Sequence, residues 1–164
     1  VSLKDRGFSS IKDIEGGTFA FVSRDSTSSV YAKYALRKMG IDPFAFFSKA
    51  FYLNRHDRVV KSLLAGSVDA GAISQGMYRN AVETFGDVFD VLVLSEPIPH
   101  DLMVASRSFP TDKVELYRKA LVQLPPDYDG FETVRRALGW GALGFGVFDE
   151  SFYDRAEEVI NADI

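Results

Sequence analysis

Four consecutive hydroxyl side chains, at the point where a strand-like segment meets a helical pattern, are the residues best suited to chemistry. They are Ser26, Thr27, Ser28 and Ser29, and they follow the apolar run Phe-Ala-Phe-Val at 19–22. The first N–H groups of a helix have no partner inside it, and its dipole is positive at this end. The position therefore suits a bound oxyanion. The plainer interpretation is that one of the four side chains is an ordinary helix N-cap. The cluster alone leaves both interpretations open.

Two further residues have side chains that suit a small ligand. His56, one of only two histidines, stands beside Asp57 at a predicted helix start. Its ring could donate to an oxyanion or lie at the surface as a capping group. Asp101 follows Pro99 and His100, where aspartate is common in turns. A carboxylate there stays close to an oxyanion only when a positive group lies between the two.

Strand and helix patterns alternate along the chain and supply the elements that would position these residues. The alternation predicts crossover connections and a mostly parallel sheet flanked by helices. The predicted strands lie at 18–23, 50–53, 68–73, 90–95 and 101–106. The predicted helices lie at 27–39, 57–64, 75–85, 111–123, 131–138 and about 150–161, and a short helical turn is predicted to start at 42–43.

Composition excludes several functional classes. A chain of 164 residues that is 46% hydrophobic can bury a core. Its net charge of −4 and the lack of a basic block exclude a general nucleic-acid binder. The absence of cysteine excludes disulfides and thiol catalysis. No apolar run reaches the roughly 18 residues that cross a membrane. The first residues are mostly polar and do not resemble a signal peptide. We expect this chain to be cut from a longer protein.

Several short segments occur in a fixed order over nearly the whole chain. They are 11–20 (Ile-Lys-Asp-Ile-Glu-Gly-Gly-Thr-Phe-Ala), 25–29 (Asp-Ser-Thr-Ser-Ser), 40–43 (Gly-Ile-Asp-Pro), 55–57 (Arg-His-Asp), 64–72 (Leu-Ala-Gly-Ser-Val-Asp-Ala-Gly-Ala), 96–101 (Glu-Pro-Ile-Pro-His-Asp) and 153–154 (Tyr-Asp). This ordered set resembles the phosphonate-binding proteins, the substrate-binding components of phosphonate ABC importers. The ordered set is far more specific than any one segment.

The resemblance implies a type II periplasmic-binding fold, an α/β architecture of two lobes joined by crossover strands. Residues 1–96 would form the second lobe with the anion-binding loop. Residues 97–164 would supply the crossover strand and the C-terminal helices that complete the first lobe, which is otherwise incomplete in this chain.

The resemblance also implies roles for individual residues. Ser26, Thr27 and Ser28 would hold the anionic head of the ligand, and His56 would add a donor. Asp101 would meet the amino group of an aminoalkylphosphonate, with Glu96 as a weaker candidate for that role.

Two positions depart from the family pattern. A second acidic residue usually follows the strand that ends near residue 72, and this chain has Ser74 and Gln75 there. That change weakens the case for an aminoalkyl ligand. Ser29 replaces a common glycine, a small change that a helix tolerates.

The resulting prediction is a protein that binds a small phosphonate or phosphate-like anion for an ABC permease, in the periplasm or otherwise outside the cytoplasm. A ligand-sensing domain attached to a kinase or cyclase signalling module is the alternative, and an enzyme acting on a phosphorylated small molecule is less favoured. No cofactor or metal is expected. The glycines at 139, 141 and 144 have dinucleotide-motif spacing, but they follow a helix rather than a strand.

Overall fold

The computed structural model describes residues 1–99, 102–138 and 144–161. The chain divides into two compact units. One contains Val1–Ile98 together with Ala156–Ile164, and the other contains Pro99–Arg155. Within the described ranges, none of the helices combines the length and the apolar character needed to span a membrane.

The first unit contains a five-stranded mixed sheet. Its strands are β1 (Ser2–Leu3), β2 (Thr18–Phe21), β3 (Lys49–Tyr52), β4 (Ala70–Gly71) and β5 (Phe89–Asp90), in the order β3-β2-β4-β1-β5. Strand β2 pairs in parallel with both β3 and β4. Strand β1 pairs antiparallel with β4 and β5, so the parallel part of the sheet has an antiparallel flank.

Helices flank this sheet because successive residues of β2 alternate between two apolar layers. Phe19 and Phe21 face one layer, while Ala20 and Val22 belong to the other. The helices of this part of the chain are α1 (Thr27–Lys38), α2 (Pro43–Phe46), α3 (His56–Leu64) and α4 (Gln75–Phe85). The first layer includes Leu36, Ile41 and Phe47, and the second includes Val59, Val60 and Leu63.

The helices predicted in this unit are confirmed, with ends that agree to within one residue. Their local signals are visible in the sequence. Gly40 adopts the left-handed backbone at φ 77° two residues after α1 ends, and Gly66 does so at φ 65° after α3. Residues other than glycine rarely adopt this backbone conformation, so a glycine just past the last turn favours the end of each helix. Asp42 caps the short helix α2, and its Oδ1 accepts the Phe44 N–H at 2.9 Å.

The strand predictions were less accurate than the helix predictions. The run at 90–95 was the most strand-like of the chain, yet only Phe89 and Asp90 pair with a neighbour. Beyond Asp90 the backbone has no sheet partner among the described residues, and Leu94 is 74% exposed. Strand β1 was not predicted, because two residues are too short for a periodic signal. Its Ser2 pairs with Ala70 and Asp90.

Gly71 is expected to be essential for close packing of α3 on the sheet. A Cβ at this position would lie 2.5 Å from Cγ1 of Val59 and 3.1 Å from the Ala20 carbonyl oxygen. Gly71→Ala should therefore lower the free energy of unfolding by about 1–3 kcal/mol through overpacking. Urea denaturation measures this, with Gly146→Ala as the control because its added Cβ meets nothing within 4 Å. Equal stability of the two variants would contradict the packing argument.

The second unit contains α5 (Thr111–Val122), α6 (Asp129–Leu138) and the first residues of α7 (Ser151–Asn161). All three helices confirm predictions. Phe131 is buried, and its ring lies 5.8 Å from that of Tyr128 and 5.7 Å from that of Phe145. The strand predicted at 101–106 is not formed over residues 102–106, which are exposed and have no strand pairing.

Candidate anion-binding site

Three helices begin at the same edge of the sheet. Strands β2, β3 and β4 are parallel neighbours, so their carboxyl ends lie together, and α1, α3 and α4 follow them in turn. The first residues of these helices are Thr27, His56 and Gln75. In open α/β sheets this edge is the usual place for a ligand, because helix N-termini and loop residues converge there.

Ser26 is the N-cap of α1, so the plainer interpretation of the hydroxyl cluster holds for this residue. Its Oγ accepts the N–H groups of Ser29 and of Ser23, each at 3.3 Å, and its hydroxyl lies 2.8 Å from Ser29 Oγ. A serine hydroxyl has one donor and two acceptor positions. The Ser26 side chain is thus committed to closing the turn at 23–26.

Ser29 is buried, and its side chain forms hydrogen bonds within the loop. Its side chain is 0% exposed, and its Oγ accepts the Val22 N–H at 3.1 Å as well as the Ser26 hydroxyl. The hydroxyl therefore ties the first turn of α1 to the end of β2. The sequence indicated only that this replacement of glycine was tolerable, because the backbone amide it satisfies lies seven residues away.

Thr27 and Ser28 supply the donors that remain. Thr27 is exposed and Ser28 is half-buried, and the Ser28 Oγ lies 3.4 Å from that of Ser26. Within the described part of the chain, neither backbone N–H has an acceptor. Two amides and two hydroxyls at the positive end of a 12-residue helix form a group of donors suited to an oxyanion.

His56 forms a hydrogen bond with the residue that precedes the neighbouring helix α4. Its Nδ1 accepts the Ser74 N–H at 3.3 Å, and the Ser74 side chain caps α4 by accepting the Met77 N–H. Because Nδ1 is the acceptor, the ring is neutral and carries its proton on Nε2. Half-burial lowers the pKa of His56, and the nearby Asp57 carboxylate opposes this in part. The ring is thus an uncharged donor.

Asp57 forms ion pairs with two neighbouring cationic side chains. Its Oδ1 lies 2.7 Å from Arg55 Nε and its Oδ2 lies 3.3 Å from Lys61 Nζ. The hydrogen bond from Arg55, followed by that from Lys61, lowers the pKa of the carboxyl group. Its charge is partly neutralised beside His56, which reduces the repulsion that a bound anion would meet there.

We expect the His56 pKa to lie below its ordinary value of 6.5. The unfolded chain then takes up a proton more readily than the folded one as the pH falls below 6.5. The stability contribution of His56 is therefore complete above pH 6.5 and is lost as the pH falls through the lowered folded-state value. Two-dimensional ¹H–¹⁵N NMR measures both the pKa and the Nε2–H tautomer, with His100→Gln to assign the second histidine. A pKa above 6.5 would contradict the Ser74 contact.

The two acidic candidates have different outcomes. Asp101 lies outside the described residues. Glu96 lies 3.9 Å from Lys38 in the last turn of α1. That helix is roughly 18 Å long, so Glu96 is near the end opposite to Thr27. The role of Glu96 in meeting the amino group of a ligand stays a prediction.

Sequence reasoning missed an aromatic and cationic stack beside the hydroxyl loop. Phe21 and Tyr52 are register partners on β2 and β3, and their rings lie 5.6 Å apart at 23°. The Arg24 guanidinium lies 5.3 Å from the centroid of the Tyr52 ring. These contacts join residues 28 or more positions apart in the sequence, and no short spacing pattern reveals them. Elsewhere, no three acidic or histidine side chains of the described residues are close enough to hold a metal ion.

The fold and the candidate site together define an α/β protein with a cluster of polar groups at the carboxyl edge of parallel strands. The chain belongs to the phosphonate-binding family: the model for "ABC transporter, phosphonate, periplasmic substrate-binding protein" matches residues 1–153. The resemblance seen in the sequence is thus confirmed. This family consists of periplasmic substrate-binding components of transporters rather than enzymes.

One solved structure supports the fold. XAC2383 from Xanthomonas citri, in a structure bound to ATP, is similar with a TM-score of 0.71 and 19% identity over 99% of this chain and 63% of that one. The chain thus spans less than two thirds of the length of XAC2383. The periplasmic aliphatic sulphonate binding protein SsuA from Escherichia coli matches with a TM-score of 0.44 and 24% identity, over 52% of this chain and 26% of that one. No curated protein matches the chain significantly.

Proposed function

We propose that this chain is the ligand-binding part of an ABC importer's substrate-binding protein and that it takes a small phosphonate or a related oxyanion. Family membership supports this class of ligand. The observation that carries the location is the pair of N–H groups at the start of α1, Thr27 and Ser28, which have no acceptor in the described structure. The Ser26 and Ser29 side chains hold that loop in place before any ligand arrives.

In this proposal the anionic head lies at the N-terminus of α1. Its oxygens accept the N–H groups and hydroxyls of Thr27 and Ser28, and the His56 Nε2–H donates from the side of α3. Ser26 belongs to the site as the N-cap that sets the turn. Hydrogen bonds to a charged oxygen are about twice as strong as neutral ones, so a few such donors bind an anion without any metal.

We further propose that residues 1–96 are the second lobe of a two-lobed protein and that residues 97–164 complete the first lobe. Asp101 would lie on the connection between the lobes and read the substituent on phosphorus. Closure of two lobes over a ligand is a hinge motion, and the closed form is what a permease detects. The protein would act in the periplasm. The same lobe in a signalling protein would pass closure to a kinase or cyclase module.

The direct test is calorimetric titration of the full-length protein. We would titrate methylphosphonate, 2-aminoethylphosphonate, phosphate and sulfate at one ionic strength, because salt screens charged contacts. ATP belongs in the same series, since its phosphates offer similar oxygens and the XAC2383 structure holds it. Saturable binding of a phosphonate supports the proposal. Binding of none of these ligands would contradict it.

Thr27→Ala should weaken binding of the preferred phosphonate by about 1–3 kcal/mol, as expected for a lost hydrogen bond to a charged group. Thr27 is exposed and its hydroxyl makes no hydrogen bond within the described chain, so the fold should be unaffected. Titration of both proteins measures the difference. Unchanged affinity would exclude the Thr27 hydroxyl as a ligand contact, and Ser28→Ala would then test its neighbour.

A further inference from the structure

Arg24 is an exposed cation in the turn that precedes the proposed oxyanion position at the start of α1. It lies in the turn at 23–26, which the Ser26 side chain closes through its contacts with Ser23. The Arg24 guanidinium lies over Tyr52, the last residue of β3, whose ring stacks in turn on Phe21. The charge thus lies over the last residue of β3, the strand that precedes His56 in the chain.

The surroundings of Arg24 leave its N–H donors without an acidic partner. Among the described residues no carboxylate lies within ion-pair distance of Arg24, whereas Arg55 and Lys61 on the adjoining helix both pair with Asp57. Asp25, its exposed neighbour in the turn, makes no ion pair in that part of the chain either. A guanidinium held against an aromatic ring keeps in-plane N–H donors that match the two oxygens of a carboxylate or a phosphate.

We infer that Arg24 is a specificity residue and that the preferred ligand carries a second anionic group, a carboxylate or a further phosphate, on its phosphonate or phosphate head. The inference rests on the proposed function, because the head must lie at Thr27 and Ser28 for the substituent to meet Arg24. It differs from the ammonium substituent that the resemblance implied for Asp101, and it assigns recognition of the substituent to Arg24 in place of Asp101. The residues that follow β4, Ser74 and Gln75, likewise offer no negative charge to an ammonium group.

The test compares three phosphonates that differ in the charge of one short substituent: methylphosphonate, 2-aminoethylphosphonate and phosphonoacetate. Each is titrated into the full-length protein and its Arg24→Gln, Arg24→Lys and Tyr52→Phe variants at fixed ionic strength. Arg79→Gln, an exposed change on α4, is the control with the same change in net charge. Methylphosphonate reports the head site alone, and the ratio of phosphonoacetate to methylphosphonate affinity reports Arg24.

We expect wild-type protein to bind phosphonoacetate at least about tenfold more tightly than methylphosphonate, the effect of one charge-assisted contact. Arg24→Gln should remove this preference and change methylphosphonate affinity by less than about threefold. Arg24→Lys should keep part of the preference, and Tyr52→Phe most of it, because the ring remains.

Three results would overturn the inference. Equal wild-type affinity for phosphonoacetate and methylphosphonate would mean that no cation reads the substituent. A preference for 2-aminoethylphosphonate would restore the ammonium ligand. A preference for phosphonoacetate that survives Arg24→Gln would assign it to another residue. In each of these cases methylphosphonate still binds and the proposed function stands. If all three phosphonates fail to bind wild-type protein, the inference fails, and the proposed function fails with it only when phosphate, sulfate and ATP do not bind either.

Discussion

Thr27→Asp is expected to reduce oxyanion affinity at least about a hundredfold, because juxtaposed like charges cost several kcal/mol. The new carboxylate would stand at the first residue of α1, where the anion is proposed to bind, and would itself accept the donors there. The same change should leave the fold intact or raise its stability by about 0.3–1 kcal/mol, since a negative charge at a helix N-terminus is favourable. Affinity and stability should therefore change in opposite directions.

Thr111→Asp is the matched control for this substitution. Thr111 is also an exposed threonine at the first residue of a 12-residue helix, α5. It should show the same small effect on stability with no change in affinity. Calorimetric titration and urea denaturation of both variants measure the two quantities. Wild-type affinity in Thr27→Asp would contradict an anion site at α1, and unfolding of that variant would mean that the threonine has a structural role.

Helices were predictable from this sequence because their signals are local. The start of α1 after Ser26 and the left-handed glycines after α1 and α3 all lie within a few residues of the helix ends that they define. Strand formation depends on a distant partner. The apolar run at 90–95 has strong strand character, but beyond Asp90 it finds no partner in the described structure, whereas Ser2 pairs on both sides.

The candidate site was predictable only to the level of the loop. The sequence placed four hydroxyls at a helix start, but which of them bond within the loop depends on the helical turn. Ser26 and Ser29 are three positions apart on that turn, and their side chains meet under the loop, while Thr27 and Ser28 are left for other contacts. The placement of the Arg24 charge could not be predicted from the sequence. Arg24 contacts Tyr52, and the register of β3 with β2 determines where Tyr52 lies.

Ser29 shows why a buried hydroxyl can matter as much as one that contacts a ligand. The Val22 amide is within the apolar layer of the sheet, and the Ser29 Oγ is its acceptor. Losing that acceptor leaves a buried N–H unpaired, at a cost of about 1–3 kcal/mol. The hydroxyl is also the partner of the Ser26 hydroxyl that closes the turn, so the loop that presents Thr27 and Ser28 depends on it.

Ser29→Val is accordingly expected to lower the free energy of unfolding by on the order of 4 kcal/mol, with roughly half from the unpaired amide and half from the extra bulk at a site with no exposure. Two variants separate these contributions in urea denaturation. Ser29→Ala removes the acceptor without adding bulk, and Ser29→Thr adds a methyl group while keeping the oxygen. If Ser29→Ala is as stable as wild type, the contact with Val22 contributes nothing. If it is destabilised but binds phosphonate normally, the turn keeps its shape without the hydroxyl, and preorganisation of the loop is not its role.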